Sequence, residues 1–509
     1  MKLDKLKNTK RNVIFGIGLK VYQILLPFIF RSIIVYTLSV EYLGLNSLFT
    51  SVLQVLNLAE LGVGSAMVFS MYKPIAEDNE EKICSLMHLY KLYYRIIGII
   101  ILCVGLVITP FVPKLIDGDV PDDMNIYILY LLNLGATVLT YWLFAYRNSI
   151  LQAYQRQDIS SKVTIITDTI KYFLQLIALY VFHNYYYFVI AILLSQVINN
   201  ILMAFISYKM YPQYKPSGTL SKDEKDTINH RIKDLFTSKL GGVIVNSADT
   251  IVISSFLGLE ILAIYQNYYY VLNAVMAFVM ILNNSVLAGI GNNMITKTIE
   301  ENYKDFKLFI FIEMWLFGFC ICCFSSLFQP FMTLWMGKNL LLSYPIVIML
   351  CFYFMGYEYV MLMSVYKDAA GIWHEDRFRP LISGIANLIL NLVLVRYIGL
   401  YGIVLSTILS VFLISAPWIT KNVFGIIFGK ENIWRFIGQI GLYIIVTIFD
   451  AICVNFVCLL ININGVGGFV IKAVISIILS NLIMFAVFFK HPLFKESIVL
   501  VKRMILKRR

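Results

Sequence analysis

The stretch from Ile96 to Val112, IIGIIILCVGLVITPFV, lies between Arg95 and Lys114 and contains no charged residue. An α-helix rises about 1.5 Å per residue, so roughly 20 such residues cross the ~30 Å hydrocarbon core of a bilayer. Outward from this segment the pattern recurs. Fourteen apolar windows succeed one another along the 509 residues, the first at 12–36 and the last at 468–489. Those at 43–70, 125–153, 236–257 and 261–288 are among them. The composition agrees: 59% of residues are apolar and 14% charged, and the mean hydropathy is +0.77. Soluble domains carry about 25% charged residues. A secreted, disordered or ordinary cytosolic protein is excluded, and the expected fold is an all-α polytopic membrane protein with about 14 transmembrane helices.

The net charge is +12. With a cytoplasmic N-terminus, 35 of the 42 Lys and Arg fall in cytoplasmic connections and adjoining helix ends. The outer loops keep Lys114, Lys338 and Arg396, and Lys20, Arg31, Lys171 and Lys472 lie within helices. Such a bias predicts both termini inside and an even helix count. The excess positive charge therefore reports topology and affinity for anionic membrane lipids, and gives no support to nucleic-acid binding. The basic N-terminus precedes an apolar run too long for a signal peptide, which reads as the first transmembrane helix.

The eight cysteines show neither metal-ligand spacing nor a disulfide framework, and read as small apolar residues. No glycine-rich nucleotide loop is present, so no cofactor is expected and a proton or sodium gradient is the remaining energy source. Outer loops are short, which argues against a polymerase or glycosyltransferase. The outer cluster Asp117, Asp119, Asp122 and Asp123 surrounds Pro121 and reads as a solvated turn. The chain is read as a transporter and not an enzyme.

Comparing the sequence with itself at an offset of 219 or 220 aligns Glu41 with Glu260, Glu80 and Glu81 with Glu300 and Glu301, Pro110 with Pro330, Gly118 with Gly337, and Arg147 with Lys367. The offset spans six helices, and an even number of crossings keeps both copies in one orientation. The predicted organisation is an N-terminal six-helix lobe at 1–210 and a cytoplasmic connection at 211–235. A C-terminal six-helix lobe at 236–424 comes next, then two further helices with a basic tail at 425–509. The lobes are expected in parallel pseudo-two-fold repeat.

Within the first copy, Glu41-Tyr42-Leu43-Gly44-Leu45-Asn46, Ala59-Glu60-Leu61-Gly62-Val63-Gly64-Ser65-Ala66 and Tyr72-Lys73-Pro74-Ile75 stand out. With the opening Lys7 to Asn12, they resemble the N-terminal lobe of bacterial polysaccharide repeat-unit flippases. Those belong to the multidrug, oligosaccharidyl-lipid and polysaccharide exporter superfamily. The resemblance implies a multi-pass protein of the bacterial cytoplasmic membrane. It would move undecaprenyl-pyrophosphate-linked oligosaccharide outward by alternating access, for O-antigen, capsule or exopolysaccharide, alongside other polysaccharide assembly proteins. A peptidoglycan-precursor (lipid II) flippase and a drug or cation antiporter of the same superfamily are the alternatives.

Charges inside a bilayer are costly and mark functional sites unless paired or snorkelling. Lys20 and Arg31 are eleven residues apart, hence about 20° apart around helix 1, with Pro27 on the same face. Helix 7 carries Asp249 and Asn246, and helix 5 places Asp168, Lys171 and Gln175 on one stripe, where the first two neutralise each other. We expect Lys20, Arg31 and Lys171 to form a cationic cavity for the pyrophosphate. Gln266, Tyr270, Asn273 and Asn284 of helix 8 are expected to face the glycan, because amides and tyrosines suit sugar hydroxyls. Glu60, Asp168, Asn246 and Asp249 are the expected coupling or gating residues. Asp450 and Glu358 are also deep, and the sequence does not reveal their partners.

Overall fold

The computed structural model describes residues 5–506 apart from Asp119, Asp122, Asp123 and Asn462. The side chains of residues 5–10, Val13, Ser238, Asn246 and 500–506 also lie outside the description. Three aspartates of the acidic turn are thus among the residues not described. The described residues form helices and turns, with no strand. Contacts divide the chain into two compact groupings, Met1–Ala263 and Ile264–Arg509.

The first grouping begins with α1 (Lys5–Thr37), a continuous helix that accommodates Pro27 in its interior. The 43–70 window is not one helix. α2 (Val40–Leu56) passes through a 3₁₀ turn at Asn57–Glu60 into α3 (Val63–Ala76), with a bend of 41°. Gly62 makes the break, at φ 88, where an L side chain is strained. α4 (Glu80–Ile108) starts at Asn79, whose side chain accepts the Lys82 amide at 3.0 Å. The 125–153 window is likewise bent, by 47°, between α5 (Ile126–Trp142) and a turn leading to α6 (Asn148–Ala153), with Phe144 at φ 59. α7 (Gln157–Tyr180) and α8 (Tyr185–Met210) complete the set that packs here, joined by the first part of α9 (Lys222–Thr296).

Lipid tails are as apolar as leucine, so close packing rather than water exclusion holds these helices together. The Phe30 and Tyr172 rings meet at 4.6 Å between α1 and α7, and Tyr130 Oη donates to the Gly105 carbonyl at 3.1 Å between α5 and α4. Gly44 lets the Leu259 backbone approach so closely that an added Cβ would collide with its carbonyl.

α9 is 75 residues long, and Gly258 inside it is non-helical at φ 85, ψ 174. This break separates the predicted windows 236–257 and 261–288. In the second grouping, α10 (Ile299–Trp335) opens with a capping box between Thr298 and Glu301 and packs against α11 (Tyr344–Ala369). α12 (Arg379–Ile398) pairs with α13 (Leu400–Ser410), which continues through a π turn into α14 (Ala416–Val423). α15 (Ile433–Leu459) and α16 (Gly465–Phe488) pack on α10, and α17 (Pro492–Leu506) ends the described chain. Among the described residues, eleven helices are long and apolar enough to cross a membrane, or thirteen if each bent pair is one span. Dividing α9 at Gly258 brings the crossings to fourteen. Gly118 and Gly337, aligned by the repeat, both adopt positive φ, at 83 and 92.

Candidate functional site

The break at Gly62 determines where Glu60 goes. Because α2 ends at Leu56, Glu60 leaves the regular helix, and its Oε1 accepts the Tyr94 hydroxyl of α4 at 3.0 Å. Tyr94 in turn accepts from Tyr90, one helical turn away, at 2.7 Å. An added Cβ on Gly64 would lie 3.1 Å from both Glu60 Oε1 and Tyr90 Oη, so the glycine leaves room for this hydroxyl chain. Lys239 lies within electrostatic reach of Glu60 and donates to Ser65 Oγ at 3.2 Å.

Tyr90 and Tyr94 also line a cavity of about 340 Å³ within the first grouping. Its other walls are mostly neutral polar side chains of α6, α7 and α8, among them Gln152, Gln157 and Asn199.

Of the expected cations, Lys171 is taken up by Asp168 at 2.7 Å and lies 4.4 Å from the Tyr172 ring. Lys20 is exposed on α1, Arg31 is half-buried, and Asp249 is buried. Gln266 and Tyr270 are half-buried, while Asn273 and Asn284 are exposed. The Asn246 side chain lies outside the described residues. The described members of this set line neither the 340 Å³ cavity nor the two adjoining cavities of the second grouping, whose walls are built from other residues.

The first of that adjoining pair is an apolar slot of about 500 Å³ between α10, α11 and α15, lined by residues such as Ile321, Phe352, Ile448 and Phe456. A more polar pocket of about 600 Å³ lies beside it and carries Gln329, Thr333, Lys338 and Lys472. Both are lined by Ser325, Tyr344, Asn455 and Leu459. Asn455 forms the neck between them: its Nδ2 donates to Ser325 Oγ at 2.8 Å and its Oδ1 accepts the Tyr344 hydroxyl at 3.1 Å. Gln329 is fixed by donating to the Leu342 carbonyl at 2.6 Å and accepting from Tyr268 at 2.9 Å. Sequence reasoning assigned Lys338 to an outer loop and Lys472 to a helix end, and did not single out Asn455 or Gln329. A detectable signal was present: Ser325, Gln329 and Thr333 recur every four residues along apolar α10.

The deep carboxylates now have neighbours. Asp450 accepts from Ser480 Oγ at 2.7 Å and from Cys322 Sγ at 3.1 Å, which ties α15 to α16 and α10. Glu358 of α11 lies within electrostatic reach of Glu313 of α10, and both are almost fully buried.

No curated protein matches the chain. Among solved structures, the lipid II flippase MurJ in its inward closed conformation aligns at 16% identity and a TM-score of 0.68, covering 94% of this chain and 99% of that one. An inward-facing multidrug resistance transporter of the MATE family, of the MOP superfamily, aligns at 15% identity and a TM-score of 0.61, covering 77% of this chain and 93% of that one. At these identities the likeness establishes the fold, that of a multi-pass membrane protein. The sequence model of one family, described as polysaccharide biosynthesis protein, matches residues 9–288. More than half of the chain is matched, and the chain belongs to the polysaccharide biosynthesis protein family.

Proposed function

We propose that this protein is a flippase that moves undecaprenyl-pyrophosphate-linked oligosaccharide repeat units across the cytoplasmic membrane by alternating access, for surface-polysaccharide assembly. The observation that carries this reading is the adjacency, in the second grouping, of an apolar slot and a pocket bearing Lys338 and Lys472. The proposed cargo has the same two-part chemistry. Its polyprenyl tail requires apolar surface, its pyrophosphate requires cations, and its sugars require neutral donors and acceptors such as Gln329 and Asn455. An organic cation would be repelled by both lysines, which weighs against drug efflux.

In this reading Lys20 and Arg31 of α1 attract the pyrophosphate from the cytoplasmic side, while Lys171 is neutralised by Asp168. A proton or sodium gradient supplies the energy, with Glu60 and Asp249 as the carboxylates that respond to it.

The test is reconstitution into liposomes holding a fluorescent undecaprenyl-pyrophosphate oligosaccharide, with a membrane-impermeant quencher reporting which leaflet the headgroup occupies. Faster exchange between leaflets than in protein-free liposomes is expected. Exchange at the protein-free rate overturns the reading, and exchange of lipid II alone redirects it to the peptidoglycan precursor.

A further inference from the structure

We infer that the polar cavity of the first grouping is a sugar-binding subsite, occupied by an uncharged pyranose ring or disaccharide of the cargo. The inference rests on the proposed glycan cargo and adds a second contact region, distinct from the lysine-bearing pocket.

The cavity's walls are neutral. Among the described residues, its lining includes no Lys, Arg, Asp, Glu or His, so none of them supplies a counter-charge for a pyrophosphate or a cation. What it does offer is carboxamide groups from three helices: Gln152 of α6, Gln157 at the start of α7, and Asn199 of α8. Two neighbouring amides are committed elsewhere, since Asn148 accepts from Ser160 at 3.0 Å and Asn200 donates to the Thr140 carbonyl at 2.9 Å. Among the described residues, the side chains of Gln152, Gln157 and Asn199 have no protein hydrogen-bond partner. Each amide pairs a donor with an acceptor, which is the pattern that vicinal sugar hydroxyls present in reverse.

Gln152 and Asn199 are half-buried and Gln157 is exposed, so without a sugar water answers these amides, and an occupant has to replace it with equivalent hydrogen bonds. Three such amides converging on one chamber point to a hydroxyl-rich occupant. The volume of about 340 Å³ stands at the small end of ligand pockets, which start near roughly 300 Å³. That admits one or two pyranose rings and excludes a long glycan. Tyr90 and Tyr94 supply aromatic surface for the apolar face of a sugar ring. Their hydroxyls continue to Glu60, so a sugar in the cavity lies against one end of that chain. The basic loops assign the α6–α7 junction to the cytoplasmic side, where the cargo is loaded.

Saturation-transfer NMR on the full-length protein in lipid nanodiscs tests this, with cellobiose and chitobiose as probes and sorbitol as the open-chain control. Transfer to the ring protons of at least one disaccharide is expected in the wild type, and none to sorbitol. Asn199→Leu and Gln152→Leu should each weaken binding about fivefold, the equivalent of one lost hydrogen bond. Should either variant fail to fold, Gln157→Leu, which alters an exposed side chain, carries the same expectation. No transfer to either disaccharide, or equal transfer in wild type and folded variants, overturns the inference. Leaflet exchange of the lipid-linked cargo without disaccharide binding defeats this subsite alone, whereas disaccharide binding sensitive to Asn199→Leu without exchange upholds the subsite and defeats the flippase reading.

Discussion

Arg11, near the start of α1, donates through Nε at 3.1 Å and Nη2 at 2.6 Å to Asp158 Oδ2 at the start of α7. The carboxylate is fully buried and also accepts Arg156 Nε at 2.9 Å through Oδ1, while the two arginine side chains remain 31% and 20% exposed. Asn12 closes the junction by accepting the Asp158 amide at 2.8 Å. Cutting a dry ion pair costs about 3 to 5 kcal/mol, and partial solvent access to both arginines lowers that figure here. Asp158→Asn should therefore destabilise the protein by about 2 kcal/mol. Arg11→Ala, which leaves Arg156 in place, should cost about 1 kcal/mol. Unfolding in detergent micelles, followed by tryptophan fluorescence, checks the order of the two.

Gly62 is expected to tolerate no side chain. A Cβ there would sit 2.7 Å from Leu235 Cβ and 3.0 Å from the Ile232 carbonyl oxygen, in a backbone conformation that costs a non-glycine residue about 1 kcal/mol before any collision. Gly62→Ala should lose at least about 2 kcal/mol. Gly16, with nothing within 4 Å of an added Cβ, serves as the control. Gly16→Ala, in the interior of α1, should cost nothing and raise stability by up to about 1 kcal/mol, the ordinary gain of alanine over glycine in a helix, in the same unfolding measurement.

Tyr94→Phe removes the donor to Glu60 and the acceptor for Tyr90 in one step. The expected loss of stability is about 1 kcal/mol, with Tyr90→Phe milder because the bond to Glu60 survives. A larger loss from Tyr90→Phe than from Tyr94→Phe would show that the chain is not organised around the carboxylate.

Replacing both lysines of the second grouping's pocket, as Lys338→Ala with Lys472→Ala, should weaken binding of undecaprenyl pyrophosphate about tenfold, or about 1.4 kcal/mol. The wild-type affinity should also fall with added salt more steeply than that of the double variant. Native mass spectrometry with titrated lipid gives both quantities, and unchanged affinity would remove the lysines from headgroup recognition.

Crossing number was legible in the sequence because hydropathy over some 20 residues depends on composition alone. The separation of windows 236–257 and 261–288 fell on Gly258, where the backbone does break. The 43–70 and 125–153 windows looked continuous, since the bends at Gly62 and Phe144 leave the apolar run unbroken. The pairing of Lys171 with Asp168 was legible because it is local. The neck at Asn455 was not: its partners Ser325 and Tyr344 lie more than a hundred residues away, on other helices. A single amide in an apolar run reads the same whether it joins two helices or borders a cavity. Glu313 and Glu358 likewise become neighbours only through the packing of α10 on α11.

The Asn455 neck gives the second grouping a ruler. In the proposed function, a cargo lying across it changes from oily to hydrophilic at one fixed point along its length, with its anionic group beyond that point. Nothing in that requirement inspects which monosaccharide comes next, so a chain built this way sorts molecules by where their polarity begins. Discrimination among glycans would then belong to the enzymes that assemble them and to whatever grips the far end.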